Sequence, residues 1–148
     1  MHGKSGKGIR MENTYQHSID AKGRLFIPVR LREELGRIFY VTLSTERCLS
    51  AYSGDSWERF KEKNRELPQV SQKKMRPLFA MAAKCELDSQ GRINLPQQLR
   101  DFANLKKNVA VVGVGDRVEF WDSEAYADIA ASEMTPENIA AVFDELDF

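Results

Sequence analysis

One motif occurs twice in this chain, and that repetition limits the folds open to it. Asp20, Gly23, Arg24, Pro28, Leu31 and Arg32 recur as Asp88, Gly91, Arg92, Pro96, Leu99 and Arg100, each 68 positions later. Six identities in one order at one offset mark an internal repeat. Beyond the motif the copies drift by a residue or two. "FYVTLSTERCLSAYS" (Phe39–Ser53) answers "VAVVGVGDRVEFWDS" (Val109–Ser123), and Trp57 and Tyr126 follow at similar places on a helical segment.

Each copy reads as strand, tight turn, strand, short helix, strand, turn, strand, helix. In the first copy Tyr15–Ile19 and Arg24–Ile27 are strand-like, joined as a hairpin by "DAKG". Pro28 fits a first helical position and Gly36 the position just past the helix end. Phe39–Ser44 and Cys48–Tyr52 form a second hairpin around "TER". Asp55 or Ser56 caps a helix running to Glu66 and stopped by Pro68. In the second copy Lys84–Leu87 and Arg92–Leu95 flank "DSQG", and "VGDR" turns between two strands. A helix over Ser71–Ala83, kinked by Pro77, joins the copies. "TPENIAAVFDEL" closes the chain with a Thr cap and a Pro at the first position. Its apolar residues Ile139, Val142, Phe143 and Leu146 share one helical face, able to dock on the body or on a neighbour.

The chain therefore divides into a flexible N-terminal extension (1–14), a first repeat (15–66), a linker helix (67–83), a second repeat (84–131) and a C-terminal helix (132–148). Within the extension, "MHGKSGKGIR" offers almost nothing to bury, and Met11 is an alternative start. One repeat of short strands leaves many open edges and is too small to bury a good core alone. Two copies can share one core. The pattern predicts a mainly β fold with short helices, in which the two tandem repeats build a pseudo-two-fold β-barrel.

Composition narrows the function classes. The chain is 148 residues long, 42% hydrophobic and 30% charged, the range of a folded soluble protein. It has no run of about 18 apolar residues to span a membrane and no apolar signal-peptide core, so a cytoplasmic protein is expected. Cys48 and Cys85 stand far apart, without CxxC spacing, and read as reduced, buried side chains. With His2 and His17 equally scattered, neither a metal site nor a cofactor is expected. Net charge is zero, yet residues 1–76 carry 16 Lys and Arg against 9 Asp and Glu, and residues 77–148 carry 6 against 13. Such polarity suits a surface facing a polyanion, although unevenly charged solvated helices give it too.

The repeated turn has its own chemistry. An Asp side chain can accept from backbone N–H groups two residues on and fix the loop. Gly23 and Gly91 sit where a left-handed backbone is needed. Arg24 and Arg92 then begin a strand, holding a planar fork of donors suited to phosphate or guanine. Lys22 adds a charge in the first copy. Gln90 replaces it in the second, which should be the weaker anion site. The alternative is a pair of salt-bridged hairpin ends with no partner.

The quoted segments "SIDAKGRLFIPVRLREEL" and "CELDSQGRINLPQQLR" resemble the two motifs of the MraZ family of bacterial proteins, and each alone resembles the AbrB/SpoVT class of swapped-hairpin DNA-binding domains. The likeness runs from Tyr15 to Ala131. It implies a double AbrB-like fold, a cytoplasmic, nucleoid-associated transcriptional regulator, and ring-like homo-oligomers. It further implies binding of double-stranded DNA at repeated promoter sequences upstream of the cell-division and cell-wall gene cluster, the family's own operon included. The DNA-facing positions fall on Asp20, Lys22, Gly23 and Arg24, and on Asp88, Gly91 and Arg92. No small-molecule substrate is expected.

Two other classes compete with this reading. A ring-forming scaffold for protein partners keeps the assembly and drops the DNA. A β-barrel enzyme is disfavoured because no Ser/His/Asp, Cys/His or metal constellation stands at a recognisable spacing. His17 reads as a strand-end residue, and Trp57, Phe60, Trp121 and Tyr126 as core or interface aromatics. The basic run "KEKNREL" with Lys73, Lys74 and Arg76 reads as a solvated helix face. Gly113-x-Gly115 lacks the third glycine and the helix start of a dinucleotide fingerprint.

Overall fold

The computed structural model describes residues 11–148. The protein is mainly β with short helices, and its two repeats exchange strands. Strand β1 (Thr14–Ser18) pairs antiparallel with β7 (Asn108–Gly113) of the second repeat, and β5 (Ala83–Glu86) pairs with β3 (Ile38–Leu43) of the first. Strand β2 (Arg24–Phe26) pairs antiparallel with β6 (Arg92–Asn94). Strands β4 (Leu49–Ser53) and β8 (Val118–Asp122) pair with each other at the centre, giving the order β1-β7-β8-β4-β3-β5. That order reads the same from either edge, one repeat for the other. The approximate two-fold axis passes between β4 and β8.

The first hairpins are not ladders within a repeat. Residues 15–19 and 24–27 touch through one isolated bridge, Ile19 to Leu25. A strand of three residues gains little from its own hairpin partner. Across the repeats, Leu25 and Ile93 stand directly opposite each other and are both buried. The repeat-related pairs Ile27 and Leu95, and Leu31 and Leu99, join them in one shared core with Phe39, Val111 and Phe120. Each such side chain contributes roughly 1.5–3 kcal/mol by leaving water, and neither repeat can bury its half alone. The ladders form a six-stranded and a two-stranded sheet. The closed barrel expected from the sequence goes beyond these ladders.

The helices follow from their capping residues, and several boundaries differ from expectation. Pro28 sits at the N-cap of α1 (Val29–Leu35) with φ −55° and ψ 141°, one place earlier than predicted, because its preset φ serves an extended entry equally well. Pro96 does the same for α5 (Gln97–Phe102). Gly36 ends α1 with φ 85°, as its position suggested. Helix α2 (Gly54–Arg65) is capped by Ser53, whose hydroxyl accepts from the Ser56 N–H at 3.2 Å; Asp55 and Ser56 lie inside the helix. The linker is two helices, α3 (Gln69–Lys74) and α4 (Arg76–Ala80), broken at Met75. Pro77 falls in the first turn of α4, where its missing N–H would have no partner anyway. Phe79 on α4 packs against Trp57 and Phe60, a cluster that Tyr40 and Tyr52 extend.

Helix α6 (Ser123–Glu133) runs past residue 131 and starts on the Asp122 carboxylate, which accepts from the Ala125 N–H at 3.2 Å. The C-terminal helix α7 (Pro136–Glu145) is therefore shorter than 132–148. Its cap is Thr135, as expected, and none of its residues is buried. The other correction is at the N-terminal side. Residues 1–10 of the flexible extension lie outside the described residues, but 11–14 are fixed. Met11 is fully buried and exchanges backbone hydrogen bonds with Gly115 (3.3 and 2.7 Å), and Thr14 opens β1. Met11 joins the shared core, which a reading of that segment as solvated chain overlooked.

Candidate nucleic-acid interface

The two turns are built alike. Asp20 Oδ1 accepts from the backbone N–H groups of Lys22 (3.0 Å) and Arg24 (2.9 Å), while Oδ2 accepts from Arg24 Nε at 2.7 Å. Asp88 repeats the arrangement with Gln90 N (2.8 Å), Arg92 N (2.9 Å) and Arg92 Nε (3.0 Å). Gly23 and Gly91 take φ +84° and +80°, the left-handed region that L side chains avoid. The aspartates thus set the loops and hold each guanidinium by its Nε edge. Among the described residues the terminal guanidinium nitrogens of Arg24 and Arg92 have no partner.

Register decides where these arginines point. Opposed residues in an antiparallel pair project to the same side, and neighbours alternate. Leu25 and Ile93 face the core, so Arg24, Phe26, Arg92 and Asn94 project from the other face of the β2–β6 ribbon. Arg24 stands opposite Asn94 and Arg92 opposite Phe26. The two arginines are diagonal neighbours, with Cα atoms roughly 7–8 Å apart, and their side chains are 37% and 30% exposed.

A second pair of arginines completes the site. Arg32 Nε donates to the Ile27 carbonyl at 2.8 Å, and its guanidinium lies 4.9 Å from the Phe26 ring centroid. Arg100 Nε donates to the Leu95 carbonyl at 3.0 Å. Each covers the glycine of the opposite repeat. A Cβ on Gly91 would stand 2.6 Å from Arg32 Cζ, and one on Gly23 would stand 2.8 Å from Arg100 Cζ and 2.7 Å from the Leu95 oxygen. The absence of a side chain there is needed twice, for φ and for the arginine above it. The ribbon gathers Lys22, Arg24, Arg32, Arg92 and Arg100 against Asp20 and Asp88, five cations to two anions. Arg32 and Arg100 were missed as site residues because a helix position looked merely structural. Their membership of the same 68-residue repeat as Arg24 and Arg92 was the signal that could have found them.

The carboxyls of Asp20 and Asp88 are held below the usual aspartate range, chiefly by the backbone N–H of Arg24 and of Arg92 respectively, with the guanidinium adding to it. A carboxylate favoured in the fold gives its support above its unfolded pKa and loses it as pH falls through the lower folded value. The amide resonances of Gly23, Arg24, Gly91 and Arg92 should therefore stay put from neutral pH down to about pH 4 and shift only below it. Two-dimensional NMR through an acid titration reads this directly, and movement between pH 7 and 5 would contradict it.

The remaining candidates lie elsewhere. His17 is inside β1, its ring centroid 5.0 Å from that of Phe26. Trp57 and Trp121 are buried, the latter donating to Glu119 at 2.9 Å. Burial pushes the thiols of Cys48 and Cys85 up to about 12, which removes the thiolate that reactivity requires.

The repeat has an independent counterpart in known proteins. The family model for the MraZ protein, described as antitoxin-like, matches residues 11–76 and 78–145. Each matched stretch contains one of the two strand-exchanging repeats, and together they span nearly all of the described chain. The protein belongs to the MraZ family.

Proposed function

We propose that this protein is a sequence-specific DNA-binding transcriptional regulator whose β2–β6 ribbon enters the major groove. One observation carries the reading: Arg24 and Arg92 stand on the open face of an antiparallel ribbon with their terminal guanidinium nitrogens unengaged. The major groove of B-DNA, about 12 Å wide, admits a two-stranded ribbon, and an arginine fork matches guanine O6 and N7. Lys22, Arg32 and Arg100 flank the pair and suit phosphate contacts that set register. Membership of a regulator-like family supports this over an enzyme. The resemblance behind the reading points to tandem promoter repeats of the cell-division and cell-wall gene cluster, including the protein's own operon, to nucleoid association, and to a ring-shaped homo-oligomer. Among the described residues no helix is long and apolar enough to cross a membrane.

Five cations per ribbon can neutralise only a few phosphates, so one ribbon binds weakly at cellular salt. Several ribbons on one ring engage successive DNA repeats, and effective concentration multiplies the single-site affinity. Fluorescence anisotropy should show tandem repeats bound at least about 100-fold tighter than one isolated repeat. The logarithm of the affinity should fall with that of salt at a slope of no more than roughly −4.5 per engaged ribbon, −0.9 for each phosphate. A single repeat bound as tightly as the tandem array would overturn the mechanism.

A further inference from the structure

Helix α7 carries an apolar face that is about half exposed, with Phe143 stacked on Phe148 of the same segment at 6.3 Å between ring centroids. Ile139, Val142, Phe143 and Leu146 are 46–60% exposed and fall at helical i, i+3, i+4 and i+7 positions. The charged residues around them are all acidic. Residues 133–148 hold five Asp and Glu and no Lys, Arg or His. An amphipathic helix with this composition wants a groove that is apolar at its floor and basic at its rims.

The same chain presents such a surface. Residues 59–76, from α2 through α3 to the start of α4, hold seven Lys and Arg against two Glu. Leu67 and Val70 are exposed there, Val70 at 71%. Val70, Lys73 and Lys74 lie on one face of α3, at i, i+3 and i+4. Among the described residues Lys73, Lys74 and Arg76 make no ion pair. The surplus of five positive charges on this surface meets a surplus of five negative charges on the α7 segment.

We infer that α7 of one copy docks on the α2–α3 surface of a second copy. The repeat gives the contact its direction. Pro68, which precedes α3, and Pro136, which opens α7, stand 68 positions apart, so the two helices are repeat equivalents with opposite charge. Contact between unlike faces is head-to-tail and propagates from copy to copy until a ring closes. The inference supplies the contact for the ring in the proposed function, yet it stands on the chemistry of these two helices and involves no DNA.

Sedimentation velocity on the full chain, without DNA, tests it. None of α7, α3 and α4 has a buried residue, so substitutions there leave the folded core alone. One variant carries Glu137→Lys, Asp144→Lys and Glu145→Lys; a second carries Lys73→Glu, Lys74→Glu and Arg76→Glu. Each alone should sediment as a monomer where the parent assembles, because its own two faces then repel. An equimolar mixture should regain the parent's sedimentation coefficient, since each variant supplies the face the other now needs. Phe143→Asp removes the apolar face of α7: it should be monomeric alone, and in a mixture with the second variant it should stop at a heterodimer, in which the intact α7 of the second variant docks on the intact α2–α3 surface of the Phe143→Asp chain. The inference falls if the parent is itself monomeric at tens of micromolar, if either charge variant assembles like the parent, or if the mixture remains monomeric. In any of those outcomes binding of one isolated DNA repeat still reports separately on the ribbon.

Discussion

Arg24→Ala combined with Arg92→Ala is expected to abolish measurable binding of tandem DNA repeats while leaving the fold and the assembly in place. A bidentate arginine contact is worth about 1–3 kcal/mol of discrimination between bases. Two lost per ribbon lower affinity by roughly 30-fold to 10⁴-fold at each engaged repeat, and the array multiplies that loss. The folded state depends little on these side chains. Their ion pairs with Asp20 and Asp88 are more than a third exposed on at least one partner, and exposed pairs contribute little to stability. The aspartates still accept from the turn's backbone N–H groups in the double variant. Its Tm should lie within about 3 °C of the parent at equal protein concentration. Anisotropy, thermal melting and sedimentation on the same preparation decide the matter. Retained DNA binding would move the interface off the ribbon, and dissociation or unfolding would make the turns structural. Lys22→Ala serves as the contrast: a phosphate contact weakens all sequences alike and lowers the salt slope by about 1.

The sequence carried more of the local chemistry than of the pairing. Asp20, Gly23 and Arg24 were legible because an Asx-type turn, a left-handed glycine and a strand-leading arginine are all short-range requirements. Their second copy at a fixed offset made chance an inadequate account. The partners of β1 and β5 were not legible. A residue such as Tyr15 alternates in burial identically whether its strand pairs with residues 24–27 or with β7, since periodicity records which face is buried and not who stands alongside. The packing of Arg32 over Gly91 is likewise long-range. Nothing near residue 32 announces that its side chain will lie on a glycine 59 positions away (91 − 32), and only the exchanged strands bring the two together. Met11 was misread for a related reason. One apolar residue after a polar tail gives no pattern, and its backbone partner, Gly115, lies far along the chain in the second repeat.

Gly23→Ala and Gly91→Ala separate what repetition makes look equal. By sequence the two substitutions are the same, and both place an alanine at positive φ, which costs about 1–2 kcal/mol. The obstacles differ. At Gly91 the three atoms nearest the new Cβ all belong to the far end of the Arg32 side chain, at 2.6–2.8 Å, although the Ile27 N–H donates to the Gly91 carbonyl at 2.9 Å much as Leu95 does at Gly23. That guanidinium can release the Ile27 carbonyl and swing off Phe26 into solvent. Gly91→Ala should therefore lower Tm by roughly 2–8 °C. At Gly23 the nearest atom is the Leu95 backbone oxygen, 2.7 Å away, and the Leu95 N–H donates to the Gly23 carbonyl at 2.8 Å. No rotamer relieves that contact. The end of β6 has to retreat, which strains or breaks a hydrogen bond worth about 1 kcal/mol and pulls on buried Leu95 and Ile93. Gly23→Ala should cost about 3–4 kcal/mol in all, about twice the fall in Tm. Each variant also pushes an arginine off the ribbon, Arg100 in one and Arg32 in the other. Gly91→Ala displaces Arg32 from the ribbon without unsettling the fold, so it should weaken DNA binding by more than its small stability loss explains. Equal melting temperatures for the two variants would show that the loops yield alike, and that the backbone of Leu95 does not constrain the first turn as its position requires.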